Sequence, residues 1–227
     1  MKKVRFTLVA AAMLASTFIF SQVSLGLKTG MSISDAQAEL YIDAINTAPK
    51  SYTSFLIGAV AEVPLTRNLS FQPELHYIRR GFNINESTSF DLAGFDIPFG
   101  AQATTKIDYI EAPLLAKVKF GNQATRAYGV IGPSLGYATS ARIQPKITVL
   151  LNFNLPEVNI NLADDIYNRT EISGVVGAGV EHTIQTGKLF VDARYNHSFT
   201  NIINDPLVDV SVRNSGFQFT AGYAYIF

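Results

Sequence analysis

Few residues in this chain carry reactive groups. Its 227 residues include three histidines, His76, His182 and His197, and no cysteine. Without cysteine there is no disulfide, no thiolate metal site, no thiol nucleophile and no anchor through an acylated cysteine. Hydrolysis or acyl transfer at a lipid needs a serine, a histidine and an orienting acid in reach of one another. His197 stands next to Ser198, and neighbours in a strand point to opposite sides. His182 and His197 fall near opposite ends of their strands, too far apart for one site at about 3.3 Å per residue. The G-x-S-x-G match at Gly132–Gly136 falls inside an alternating strand segment rather than at a strand-to-helix turn, so it does not form the usual nucleophile elbow. Neither an enzyme nor a cofactor is expected.

A second group of residues is charged: Lys28, Glu62, Glu74, Glu111, Lys117, Glu181, Asp192 and Arg194. Each falls on the small, polar side of an alternating segment. Both signs are present, and charges in a confined interior must be paired and hydrogen-bonded to offset desolvation. The expected chemistry is therefore a salt-bridge network. Its plain role is to fill and stiffen an interior; its functional alternative is a narrow polar path for ions or small solutes. Arg79 has the opposite parity and is read as an ordinary interfacial arginine; the alternative is one that snorkels toward charged headgroups.

The alternating segments are what position these groups. The clearest is the last, 214–227, where Phe217, Phe219, Ala221, Tyr223, Tyr225 and Phe227 alternate with Gly216, Gln218, Thr220, Gly222 and Ala224. This is a strand with one aromatic face and one small, polar face. Similar strands are expected at about 22–31, 52–63, 69–80, 106–120, 127–140, 170–184 and 189–199. Glycine and serine share a face with the charges, while the other face is bulky. That pattern fits a cramped polar lumen with lipid outside, rather than a soluble lipocalin-like barrel with an apolar interior.

Charged residues are 16% of the chain and the formal net charge is zero. Neither gives reason to expect nucleic acid. Lys2, Lys3 and Arg5 precede an apolar run at 6–20, too short to span a bilayer. Residues 1–21 are therefore read as a cleaved signal peptide and 22–227 as the mature domain.

Eight strands is an even number, and the connections alternate long and short. The long ones lie near 32–51, 81–105, 141–169 and 200–213. Outer-membrane barrels have this pattern, with long external loops and short periplasmic turns. The expected fold is an eight-stranded antiparallel up-and-down transmembrane β-barrel. A short helix is expected at 36–45. The stretch 146–155 is strand-prone and is read as a hairpin extending the neighbouring strands, with Pro145 and Pro156 opposing a central strand there.

The segments V-S-L-G-L-K-T-G (23–30), L-S-F-Q-P-E-L-H-Y (69–77), D-Y-I-E-A-P-L-L-A-K (108–117), G-V-I-G-P-S-L-G-Y (129–137) and G-A-G-V-E (177–181) together resemble the PorT-type outer-membrane β-barrel family, related in architecture to OmpA- and OmpX-like small barrels. The resemblance covers nearly all of the mature chain. It implies insertion into the outer membrane of a Gram-negative bacterium by the barrel-assembly machinery, with Phe219, Tyr223, Tyr225 and Phe227 as the terminal signal. The expected partners are outer-membrane lipid, that machinery, and an unidentified protein outside the cell or in the periplasm. A monomer is expected. The expected function is non-enzymatic, with loops that contact a partner or support membrane integrity; the alternatives are a narrow pore and a lipid-modifying enzyme.

Overall fold

The computed structural model describes residues 23–39, 50–92, 95–122, 124–149, 151–160, 162, 169–200 and 211–227. The proposed signal peptide lies outside them. Ten strands follow in order: β1 (Ser24–Glu39), β2 (Lys50–Pro64), β3 (Leu69–Leu92), β4 (Phe95–Gly121), β5 (Thr125–Val149), β6 (Leu151–Asn154), β7 (Val158–Ile160), β8 (Thr170–Ile184), β9 (Gly187–Ser198) and β10 (Ser211–Ile226). Eight of them form an antiparallel ring in the order β4-β3-β2-β1-β10-β9-β8-β5, and β4 pairs with β5 to close it. β6 and β7 hang on the outer half of β5. No helix occurs among the described residues.

The alternation sets the two faces. Leu27 is 71% exposed and Lys28 is 2% exposed. A run of exposed side chains such as Leu25, Ile57, Leu75, Ile131, Val176 and Val191 forms the outer surface. In lipid every backbone group must be satisfied within the protein. The ring achieves this by pairing the first strand with the last, from Ser24 opposite Ile226 to Glu39 opposite Ser211.

Several strands run further than their sequence pattern. The loop expected at 32–51 is corrected: β1 continues to Glu39 and β2 begins at Lys50. The helix expected at 36–45 is corrected over its described part, because 36–39 are strand. Pairing with β10 overrides the helical preference of A-Q-A-E, since tertiary context outweighs propensity. The remainder, 40–49, lies outside the described residues. The loop expected at 81–105 is also corrected. It forms the outer halves of β3 and β4, paired up to Leu92 opposite Phe95. Its Ser, Thr and Asn residues suit a solvated ladder as well as a loop. Pro145 sits within β5, opposite Ala103, and its carbonyl accepts a bond from the Leu155 amide at 3.1 Å. The hairpin expected at 146–155 forms, but β6 folds back on β5 rather than extending β8.

The β4–β5 register shifts where Tyr109 faces Ala138 and Asp108 faces Ser140. Thr139 is the extra residue, and its hydroxyl donates to the Asp108 carbonyl at 3.0 Å. Such a bulge bends a strand and reverses which side chains face inward beyond it. Here it marks the rim. Tyr77, Ile110 and Tyr137 align just below it, and the next outward position holds Arg79, Asp108 and Ser140. An aromatic level followed by charge is the signature of a membrane interface. Beyond this level β3, β4 and β5 continue as a projecting sheet, about 40–45 Å along β3 at 3.3 Å per residue.

Candidate functional site: a charge network in the lumen

Strand parity brings the sequence-predicted charges together. Lys28, Glu62, Glu74, Glu111, Lys117, Glu181, Asp192 and Arg194 are all buried inside the ring. They form three connected tiers. At the short-turn end, Lys117 Nζ donates to Glu62 at 2.9 Å and to Glu181 at 2.6 Å. Lys119 bonds Glu62 at 2.6 Å, and Lys188 bonds the same carboxylate. The Ser70 hydroxyl completes that carboxylate at 2.9 Å.

In the middle tier Lys28 bonds Glu74. Arg194 Nη1 donates to Glu74 at 2.8 Å, while its Nε and Nη2 grip Asp192 at 2.9 and 2.7 Å. Thr220 and Tyr128 donate to Asp192 at 2.6 and 3.0 Å. In the outer tier His76 Nε2 lies 2.9 Å from Glu111 Oε2. Arg80 sits 2.5 Å from Glu111 and bonds Glu171, and Asn214 donates to Glu171 at 3.0 Å. The Lys117 ammonium lies 4.0 Å from the Tyr128 ring centre and links the lower tiers.

Parity alone did not single out Arg80, Lys119, Glu171 and Lys188 as network members. The signal was there: each is an even number of positions from a predicted inward charge on its own strand. Arg80 and Lys188 lie at the edges of the expected strands 69–80 and 189–199, where parity is least defined. With them, six cations meet six carboxylates among the described residues.

Apolar groups fill the rest. Val60, Leu115, Tyr128, Val130, Val175, Phe190 and Ala224 form one interior cluster. Leu56, Ile78, Ile107, Tyr109, Ala138 and Ala141 form a second near the rim, and Ile160 and Leu162 pack onto it from the 141–169 segment. A water-filled path would leave its lining accessible. The Lys28, Glu74, Arg194 and Lys117 side chains are instead 0–2% exposed.

The histidines stay apart. His76 is within the outer tier, His182 pairs with Thr125 at 2.8 Å at an exposed site, and His197 stacks beside Tyr195 and meets Phe199 edge-on. Ser198 faces inward and bonds the Thr200 carbonyl, on the opposite side of β9 from His197. Outside the membrane level, Arg79 pairs with Asp108 at 2.6 Å rather than reaching outward alone, and Arg142 meets the same carboxylate at 2.8 Å. Burial pushes the Asp108 carboxyl up, but hydrogen bonds from Arg79, Tyr77 and Ser140 outweigh it and hold it well below the usual carboxylate range. The four residues of the expected terminal signal are exposed, Phe219, Tyr223 and Tyr225 on β10 and Phe227 just past its end.

A closed antiparallel ring with an apolar exterior and a paired, polar interior is an outer-membrane β-barrel. The chain belongs to the outer membrane protein beta-barrel domain family, whose model matches residues 15–204. Among solved structures it is similar to Ail, the attachment invasion locus protein of Yersinia pestis, at 13% identity over 90% of this chain and 99% of that one, with a TM-score of 0.36. It is also similar to Neisserial surface protein A, at 16% identity over 89% and 97%, TM-score 0.41. A third is the outer membrane protein OprG from Pseudomonas aeruginosa, at 11% over 91% and 97%, TM-score 0.44. No curated protein matches the chain.

Proposed function

We propose that this barrel is a non-enzymatic surface protein of the PorT-type group that works through its projecting sheet, which contacts a protein partner outside the cell. The observation that carries this is the contrast between the two parts of the molecule. The lumen is filled by paired charges and apolar side chains, so the barrel serves as a rigid anchor. Meanwhile β3 and β4 stay paired for fourteen further residues beyond the rim, from Arg79 opposite Asp108 to Leu92 opposite Phe95. A long sheet in water with edge strands presents unpaired backbone groups, and added strands from partners dock on such edges. The barrel-assembly machinery inserts the chain, reading its aromatic terminus, and the barrel acts as a monomer. The buried lumen is poor support for a pore, and the scattered histidines are poor support for a lipid-modifying enzyme.

The test replaces residues 84–103 by a two-residue turn. The expected product is a heat-modifiable barrel at wild-type level that has lost surface adhesion, while the full-length chain forms crosslinks to its partner from a photoreactive group at position 88. A shortened barrel with unchanged adhesion, or a full-length chain that forms no crosslink from position 88, would overturn the proposal.

A further inference from the structure

The short-turn end of the lumen opens into a cavity of 230 Å³, lined by residues that include Ser24, Glu62, Arg67, Lys119, Arg126 and Lys188. This end is periplasmic in outer-membrane barrels. Its charges do not balance. Lys117, Lys119 and Lys188 share only two carboxylates, Glu62 and Glu181. Arg126 stands opposite Glu181 in the β5–β8 ladder, yet its side chain makes no ion pair or hydrogen bond among the described residues, and neither does that of Arg67. Five cationic groups thus face two acids. The compensating acid is elsewhere: in the outer tier Arg80 meets two carboxylates, Glu111 and Glu171.

A second observation points into the same cavity. Ser24 is 2% exposed and its hydroxyl has no hydrogen-bond partner, although it lines the cavity wall. A buried hydroxyl left unbonded costs about 1–3 kcal/mol, so its position calls for an acceptor. Surplus positive charge at a partly enclosed mouth focuses field and concentrates anions, and arginine and lysine together favour phosphate geometry. The size sets the ligand. At about 30 Å³ per water the cavity of 230 Å³ holds about eight waters' volume, less than the roughly 300 Å³ at which organic-ligand pockets begin. A phosphate group with part of its hydration fits.

We propose that the periplasmic mouth is a binding site for a phosphate group, held by Lys119, Lys188, Arg126 and the Ser24 hydroxyl, with Arg67 at the rim. Arg126 and Arg67 provide the free donors, and Lys119 and Lys188 provide field while still holding Glu62. The phosphate comes from free periplasmic phosphate or from a phospholipid headgroup reaching over the inner rim.

The experiment uses the folded barrel in uncharged maltoside micelles, titrated with inorganic phosphate at constant ionic strength against chloride, and follows amide shifts by NMR. Saturable shifts confined to Ser24, Lys119, Arg126 and their neighbours are expected. The Arg67→Gln/Arg126→Gln pair breaks no side-chain ion pair or hydrogen bond among the described residues, so it is expected to fold as the wild type does. It is expected to weaken phosphate binding about tenfold, the order for lost charge-assisted contacts. No saturable shift at millimolar phosphate, or equal binding by this pair, would overturn the proposal. Repeating the titration in phosphatidylglycerol bilayers separates the sources. Weaker apparent binding of free phosphate there assigns the site to the headgroup, and unchanged binding assigns it to the free ion. A barrel that binds phosphate with its projecting sheet removed leaves the proposal standing whatever the fate of the surface-contact reading.

Discussion

Glu74 on β3 and Arg194 on β9 meet at 2.8 Å although 120 positions separate them in the chain. Their strands are four steps apart in either direction around the ring, so this bond spans the barrel's diameter. Arg194 is also held by Asp192, and Glu74 by Lys28 and Gln72. A charge-assisted crosspiece of this kind leaves the lumen closed at its level, and it ties together strands that never touch.

Removing one end of it leaves a buried charge uncompensated. Arg194→Ala is expected to destabilise the barrel by about 3–5 kcal/mol, the range for breaking a buried pair. Arg194→Lys is expected to be intermediate, because a lysine cannot reproduce the two-pronged grip on Asp192. Urea unfolding of the barrel in detergent measures both. An Arg194→Ala barrel as stable as the wild type would mean that the network is loosely packed.

The same crosspiece is expected to block conduction. The wild-type barrel is expected to show no steady conductance in planar bilayers at neutral pH. The Glu74→Ala/Arg194→Ala pair removes both ends of the diameter-spanning bond and is expected to conduct. Steady conductance of the wild type would restore the narrow polar path as the working description.

How much of this was legible in the residues follows from physics of different range. Parity is local, so the inward placement of Lys28, Glu74 and Arg194 and the outward placement of Phe217 and Tyr225 could be counted in twos. Strand ends are not local. The A-Q-A-E stretch reads as helix until β10 supplies a ladder, and 81–105 reads as loop because Ser, Asn, Gly and Pro serve both states. The bulge at Thr139 is invisible to alternation, since one extra residue changes parity without any change of composition. Which cation meets which carboxylate depends on the tilt that brings β3 opposite β9. No spacing within either strand encodes it.

Outside the membrane level, Asp108 joins Arg79 on β3 to Arg142 on β5. Its carboxyl is held below the ordinary range, against burial, by hydrogen bonds from Arg79, Tyr77 and Ser140. A depressed folded value means that the stabilisation is present above the unfolded value of about 3.9. It is lost as pH falls through the folded value. The base of the projecting sheet is therefore expected to hold from neutral pH down to about pH 4 and to loosen below it. Amide hydrogen exchange at Arg79 and Ile107, corrected for intrinsic rates, measures this. Asp108→Asn is expected to exchange faster at neutral pH and to lose the acid dependence. An unchanged wild-type profile across that window would remove Asp108 as the tie.

The seam between β1 and β10 depends on close approach. A Cβ at Gly30 would lie 2.0 Å from the Phe219 carbonyl oxygen and 2.8 Å from the Thr220 Cα. Gly30→Val is expected to block ring closure and abolish the heat-modifiable gel form. At Gly129 the nearest atom to an added Cβ is 3.9 Å away, so Gly129→Ala is expected to be silent. Equal behaviour of the two would show that the seam relaxes to accept a side chain.

The last residue separates stability from assembly. Phe227 is 70% exposed, touches Tyr225 with a ring separation of 5.0 Å, and its amide donates to the Val23 carbonyl at 3.1 Å. Deleting it removes one bond at the fraying end of the seam and almost no buried area, so refolding from urea into detergent is expected to stay within about 1 kcal/mol of the wild type. Insertion in cells is expected to fall well below wild type, because Phe227 is the proposed end of the signal formed with Phe219, Tyr223 and Tyr225. A fall in both assays would make the residue structural. Wild-type amounts of heat-modifiable barrel in the outer membrane would mean that the assembly machinery reads some other part of β10.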